Sequence, residues 1–182
     1  MRGHLSDDAD YALRNFHEVR WLGGEYELPL TESHCAIAVL KFENGKFIGR
    51  EHEWKWAASA GEPRTIPYLL MWGLGEGGTK LALFAGGTRS VTQKNEFFGQ
   101  LDGGLSRSYG KSNAGEIRGC RVIGFASSKE ARPGREAFAT SFGDLDQEIK
   151  NKKHVGVLVV KPFSSEEEAS HWVYGRSSEV EP

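Results

Sequence analysis

The sequence predicts a mainly β protein, an antiparallel β-sandwich of jelly-roll-like form with N-terminal and C-terminal helices. Three observations carry this expectation. Glycine supplies 23 of the 182 residues, well above the usual share of roughly 7%. The glycines punctuate short apolar runs without a Gly-X-Y period, which is the pattern of tight turns and bulges. The apolar runs also follow one another through turn signals rather than helical crossovers, an order that favours antiparallel over parallel sheets. The length suits one core, so residues 1–175 are expected to form a single globular domain, with 176–182 a frayed tail.

Taken in order, Ser6 can cap a first helix whose positive end Asp7 and Asp8 complement. Leu5, Ala9, Leu13, Phe16 and Val19 then recur every three or four residues as one apolar stripe, which should stop before Gly23-Gly24. Glu25 to Leu28 alternates like a strand. Cys35 to Phe42 is a compact apolar run ending at Asn44-Gly45, a pair that tolerates the positive φ angles of a type I′ hairpin turn. The returning strand should run from Lys46 to about Trp56. Ala57 to Arg64 reads as a loop, Ile66 to Trp72 as a buried strand with Pro67 near its start, and Thr79 to Ala85 as its hairpin partner.

From Thr88 to Glu116 the chain is rich in glycine, serine and charge, and short strands with long turns are expected. Gly119 to Phe125 resumes a strand, and Ser127 to Arg135 is loop-like. Asp144 with Gln147 forms a capping box for a short helix, and Val155 to Val160 is the strongest buried strand in the chain. Ser165 with Glu168 caps a last helix that Gly175 ends.

Two phosphate-binding spacings occur and neither has its context. Gly73, Gly75 and Gly78 satisfy GxGxxG, but Thr79 to Ala85 is too short for the helix whose N–H groups would receive a pyrophosphate. Gly110-Lys111-Ser112 resembles the end of a P-loop, yet the position of its opening glycine holds Leu105. The six histidines never stand as His-x-His or HExxH, and Cys35 and Cys120 are too far apart for a zinc knuckle. The reading therefore assigns no cofactor, no metal and no catalytic residue.

The candidate ligand-binding residues are Arg50, His52, Trp54 and Trp56. Strict alternation would place them with Ile48 on one face of a strand, and Phe47, Gly49, Glu51, Glu53 and Lys55 on the other. Such a stripe is either an aromatic platform for a sugar or planar ligand, or a contribution to the core. Core burial is the preferred reading because two indoles remove a large apolar area from water. Glu51 and Glu53 flank His52, but alternation sends them to the opposite face.

With 23 basic and 25 acidic residues the net charge is −2, so no global field draws nucleic acid. The lysines at 150, 152 and 153 with His154 suit a solvated helix end. No apolar run is long enough for a membrane span. The opening residues lack a signal peptide's apolar core, which points to the cytoplasm, with export open if Met1-Arg2-Gly3-His4 replaces a trimmed signal. Cys35 and Cys120 fit either one disulfide or two buried thiols. A non-catalytic binding or accessory domain for a carbohydrate, small ligand or protein ranks first. An enzyme with a site assembled from His and Asp/Glu residues in space comes next, then a structural or protein-interaction domain.

Overall fold

The computed structural model describes residues 17–57, 64–75, 78–86, 88–92, 95–101, 103–106, 115–128 and 145–175. These residues are mainly β, in antiparallel sheets that curl as a half-barrel. A four-stranded sheet joins β1 (His17–Glu27), β4 (Thr65–Gly75), β5 (Gly78–Ala85) and β6 (Thr88–Thr92) in the order β1-β4-β5-β6. A six-stranded sheet runs β3 (Lys46–Ala57), β2 (His34–Glu43), β10 (His154–Phe163), β9 (Cys120–Ser127), β7 (Gly103–Ser106), with β8 (Glu116–Ile117) paired to β9. β1, an edge of the first sheet, comes against β7 and β9 of the second.

The strands form where apolar runs and turn residues dictate. Asn44 and Gly45 both take positive φ angles, 51° and 80°, and β3 returns along β2 as the hairpin pair requires. Gly75 pairs with Gly78 across the turn between β4 and β5, so the GxGxxG spacing is a hairpin. The pairing is otherwise less local than consecutive hairpins: β1 pairs with β4, and β2 pairs with β10 over ten residue pairs from His34↔Phe163 to His154↔Glu43.

Alternation divides the six-stranded sheet into two apolar faces. Cys35, Ile37, Val39, Leu158 and Val160 face inward and meet Leu22, Tyr68, Leu70, Trp72, Leu81 and Leu83 of the other sheet. A buried hydrogen bond from Tyr68 Oη to the Ile123 carbonyl at 3.0 Å crosses between the sheets, and another from Trp72 Nε1 to the Leu101 carbonyl at 3.2 Å ties β4 to the segment 100–101. Both satisfy polar atoms that burial would otherwise leave costly. Ala38, Leu40, Phe42, Val155, Val157 and Val159 face outward and are covered by Leu145 and Ile149 of α2 (Leu145–Asn151) and by Trp172 of α3 (Glu166–Tyr174).

A short α1 (Glu96–Gly99) caps one end of the inner core, inserting Phe98 with its ring 5.8 Å from Trp72. Its N-cap is Asn95, whose Oδ1 accepts from Phe98 N. α3 begins at the expected Ser165, whose Oγ accepts from Glu168 N, while the Glu168 carboxylate reaches back to Ser164 N and Oγ. α1 has no counterpart in the sequence reading because one turn is too short for an apolar period to emerge.

The first helix needs correction. Its stripe extends to Val19 in the sequence reading, but β1 already begins at His17 and continues through Gly23-Gly24 to Glu27. Pairing with β4 at His17 and, after a register shift, continuously from Arg20 to Glu27 outweighs the local helical spacing. Residues 1–16, the expected loops at 58–63 and 129–135, and the tail 176–182 lie outside the described residues. Among the described residues no helix is long and apolar enough to cross a membrane. The β-rich class and antiparallel sheets agree with the expectation, whereas the form is a curled half-barrel. Trp72 is fully buried at the centre of the inner core, and Trp72→Ala is expected to cost about 3–5 kcal/mol, read as a lowered urea midpoint with little change in slope.

Candidate functional site

The candidate stripe lies on β3, and two irregularities in that strand decide which residues share a face. Ile37 pairs with Trp54 and Val39 with Glu51, so two steps on β2 correspond to three on β3. A second irregularity separates Lys41↔Gly49 from Phe42↔Phe47. Each is a β-bulge, which inverts the side-chain alternation beyond it.

Trp54 and Trp56, opposite Ile37 and Cys35, consequently face inward, as does Glu51 opposite Val39. Arg50, opposite Leu40, faces outward. The single stripe expected from strict alternation is therefore divided. The Arg50 guanidinium stacks 3.9 Å from the centre of the Trp172 ring and donates to the Trp172 carbonyl near the end of α3, where a cation complements the helix dipole. His52 and Glu53 occupy the first bulge, and their side chains lie outside the described residues.

Trp54 and Trp56 are half-buried and pack against the inner core. Their indoles meet the turn after β5. A Cβ placed on Gly86 would lie 2.6 Å from Trp56 Cδ1, 2.9 Å from Trp56 Nε1 and 3.0 Å from Trp54 Cη2. Gly86 also has φ of +52°, so both the space and the backbone at this position demand glycine. The contact brings β3, an edge of one sheet, against the β5–β6 turn of the other.

Farther along the same face, polar groups satisfy one another. Lys41 forms an ion pair with Glu51 Oε1, and Asn95 Nδ2 donates to Glu51 Oε2 at 2.8 Å. Asn95 thereby links the sheet to α1, and Phe97 of α1 lies under the Lys41 ammonium at 5.7 Å and edge-on to His154 at 5.8 Å. His154 Nε2 is 3.6 Å from Glu43 Oε1. With both oxygens engaged, the Glu51 carboxylate ties Asn95, and through it α1, to the sheet.

Sequence reasoning placed Glu51 on the wrong face and missed Lys41, Gly86 and Asn95. The Asn95-to-Phe98 cap was visible as a cap residue ahead of an aromatic pair. Nothing local marks the bulge that turns Glu51 inward. Of the other histidines, His34 Nδ1 lies 2.8 Å from Ser33 Oγ, and His171 is exposed on α3. Gly110-Lys111-Ser112 lies outside the described residues. Among the described residues no three His, Cys, Asp or Glu side chains converge as a metal site.

Cys35 and Cys120 are both free and buried. They point to opposite faces of the six-stranded sheet, one into the inner core and the other under the helices, so they do not face each other. Burial pushes the Cys35 thiol from 9.0 up to about 12 and raises Cys120 as well. Burial likewise pushes the Tyr26 phenol from 10.0 up to about 12, against a lowering influence from Arg121.

Comparison with known proteins finds no matching family model, no matching curated protein and no matching solved structure. The site is accordingly read from its own chemistry.

Two outcomes follow from this geometry. Gly86→Ala is expected to destabilise the protein by about 1–3 kcal/mol through overpacking and to shift the tryptophan emission, measured together in one urea titration. The raised thiol and phenol stay protonated in the folded protein at pH values where the unfolded chain ionises. Their contribution to stability is therefore complete below pH 9 and is lost as pH climbs towards 12. Urea midpoints measured from pH 7 to 11 should fall above pH 9, and Cys35→Ala should reduce the first part of that fall.

Proposed function

We propose that the protein is a non-catalytic binding module for a carbohydrate or another flat small ligand, seated where Trp54 and Trp56 meet the β5–β6 turn. The observation that carries this reading is the incomplete burial of two neighbouring tryptophans on an edge strand. A core residue is sealed, whereas Trp54 and Trp56 each keep part of their surface in water. An indole face offers a ligand dispersion contact and a site for polarised C–H groups, and two of them fix its plane. The packing against Gly86 holds both rings rigid, so little side-chain freedom is lost on binding.

The inner core shared between its sheets supports describing the half-barrel as a sandwich, and the aromatic pair belongs to β3, an edge strand of the six-stranded sheet. A catalytic alternative has one specific observation in its favour, the approach of His154 to Glu43. The hydroxyl beside that pair, Ser128 Oγ, accepts from the backbone N–H of His154 at 3.2 Å, and the catalytic reading is ranked second. Two unpaired, buried thiols also support a reducing compartment such as the cytoplasm.

The test compares Trp54→Ala and Trp56→Ala with the wild type on a glycan array and in tryptophan-quenching titrations with methyl glycosides. Half-buried indoles should cost roughly 1–3 kcal/mol when truncated, below the full core penalty. At a temperature where both variants remain folded, each should lose glycan retention at least tenfold. Retention unchanged in two folded variants would remove the aromatic pair from the site.

A further inference from the structure

Among the described residues Asn44 and Arg118 hold a positive φ without being glycine, at 51° and 50°. Each is followed by a glycine that is also positive, Gly45 at 80° and Gly119 at 68°. The β8–β9 hairpin closes through Ile117↔Cys120 as the β2–β3 hairpin closes through Glu43↔Lys46, so the two turns share one geometry. Asparagine suits the first turn position because its short polar side chain compensates locally for the left-handed backbone. Arginine has no such compensation. Arg118 therefore holds a strained conformation on an exposed turn where the backbone alone would favour Asn or Gly.

The strained turn presents a guanidinium. Arg118 lies over the Phe47 ring, 4.2 Å from its centre, as Arg50 lies over the Trp172 ring at 3.9 Å. Phe47 and Trp172 both pack on the outer apolar cluster of the six-stranded sheet, which contains Cys120. Burial raises the Cys120 thiol, and Lys161, Arg50 and Arg118 oppose that rise while Glu116 adds to it. Three cations against one carboxylate thus gather within electrostatic reach of a single sulfur. A guanidinium held over an aromatic ring has its face occupied and presents N–H groups at its edge, the arrangement that pairs bidentately with phosphate oxygens.

Charge on the same side of the sheet limits the size of the anion. Glu166, Glu167 and Glu168 fill the first turn of α3, which packs on β2, β3 and β10. An extended polyanion crossing this face would meet that run of carboxylates, whereas a compact dianion would not.

We propose that Arg118, Lys161 and Arg50 form an anion site on the outer face of the six-stranded sheet, which takes a phosphate group, free or as a small monoester. The site lies on the opposite face of that sheet from Trp54 and Trp56, and it stands independently of the ligand assigned to them.

The test titrates the full chain with inorganic phosphate and, separately, with phenyl phosphate, the ionic strength being held constant with sodium chloride. Well above the dissociation constant, phosphate should raise Tm by several degrees, the stronger of the two responses identifying the free ion or the ester as occupant. Arg118→Gly, which the turn accepts, should stay folded and lose that shift, and Lys161→Gln should weaken phosphate binding several-fold. Lys80→Gln removes one charge from the four-stranded sheet and should keep the full response. No shift in the wild type, or an equal shift in the wild type and both site variants, would overturn the proposal. A larger shift with a single-stranded oligonucleotide at equal phosphate concentration would overturn it in favour of an extended polyanion. Should a variant fail to fold, the wild type still decides, because phosphate must move the Arg118 Nε–H signal and an unmoved signal overturns the site.

Discussion

The pairing of β2 with β10 is the constraint on which the other elements depend. Both strands are buried on both faces through most of their length, so the sheet they centre is stable only when each side is covered. The inner side takes the four-stranded sheet, with Trp72 and Leu70 against Leu158 and Ile37. The outer side takes α2 and α3. A sheet covered by strands on one side and helices on the other is the direct consequence of two strands whose central residues are apolar on both faces. Because the partners are separated by most of the chain, closing that pairing also brings the N-terminal and C-terminal halves together, at the entropic cost of a long loop.

The bulges of β3 are the second organising feature, and they act on chemistry rather than on the core. The first separates Arg50 from the tryptophans, sending the guanidinium outward to Trp172 while the indoles turn inward. It also turns Glu51 inward, where it joins Lys41 and Asn95 and so ties α1 to the sheet. A bulged edge strand is in addition a poor template for another chain's strand. Gly86 completes the arrangement from the opposite sheet, since any larger residue there would displace both rings.

What the sequence determined by itself was local. The apolar runs placed β2, β3, β4, β5, β9 and β10, and Asn44-Gly45 set a hairpin because only certain residues accept positive φ. Ser165 with Glu168 located the start of α3, since its hydrogen bonds span a few residues. Tertiary structure decided what depends on pairing at a distance. It drew His17 to Leu22 into a strand despite helical spacing, because β4 offered partners to His17, Arg20, Trp21 and Leu22 and to every residue on to Glu27. It set the curl of the sheets and chose β10 as the neighbour of β2. It also inverted the faces of β3 at bulges that leave no mark in a pattern of alternating residues. The aromatic pair was legible as Trp54 and Trp56. Its neighbours Gly86, Glu51 and Lys41 were not, because their roles arise only when the two sheets and α1 are brought into contact.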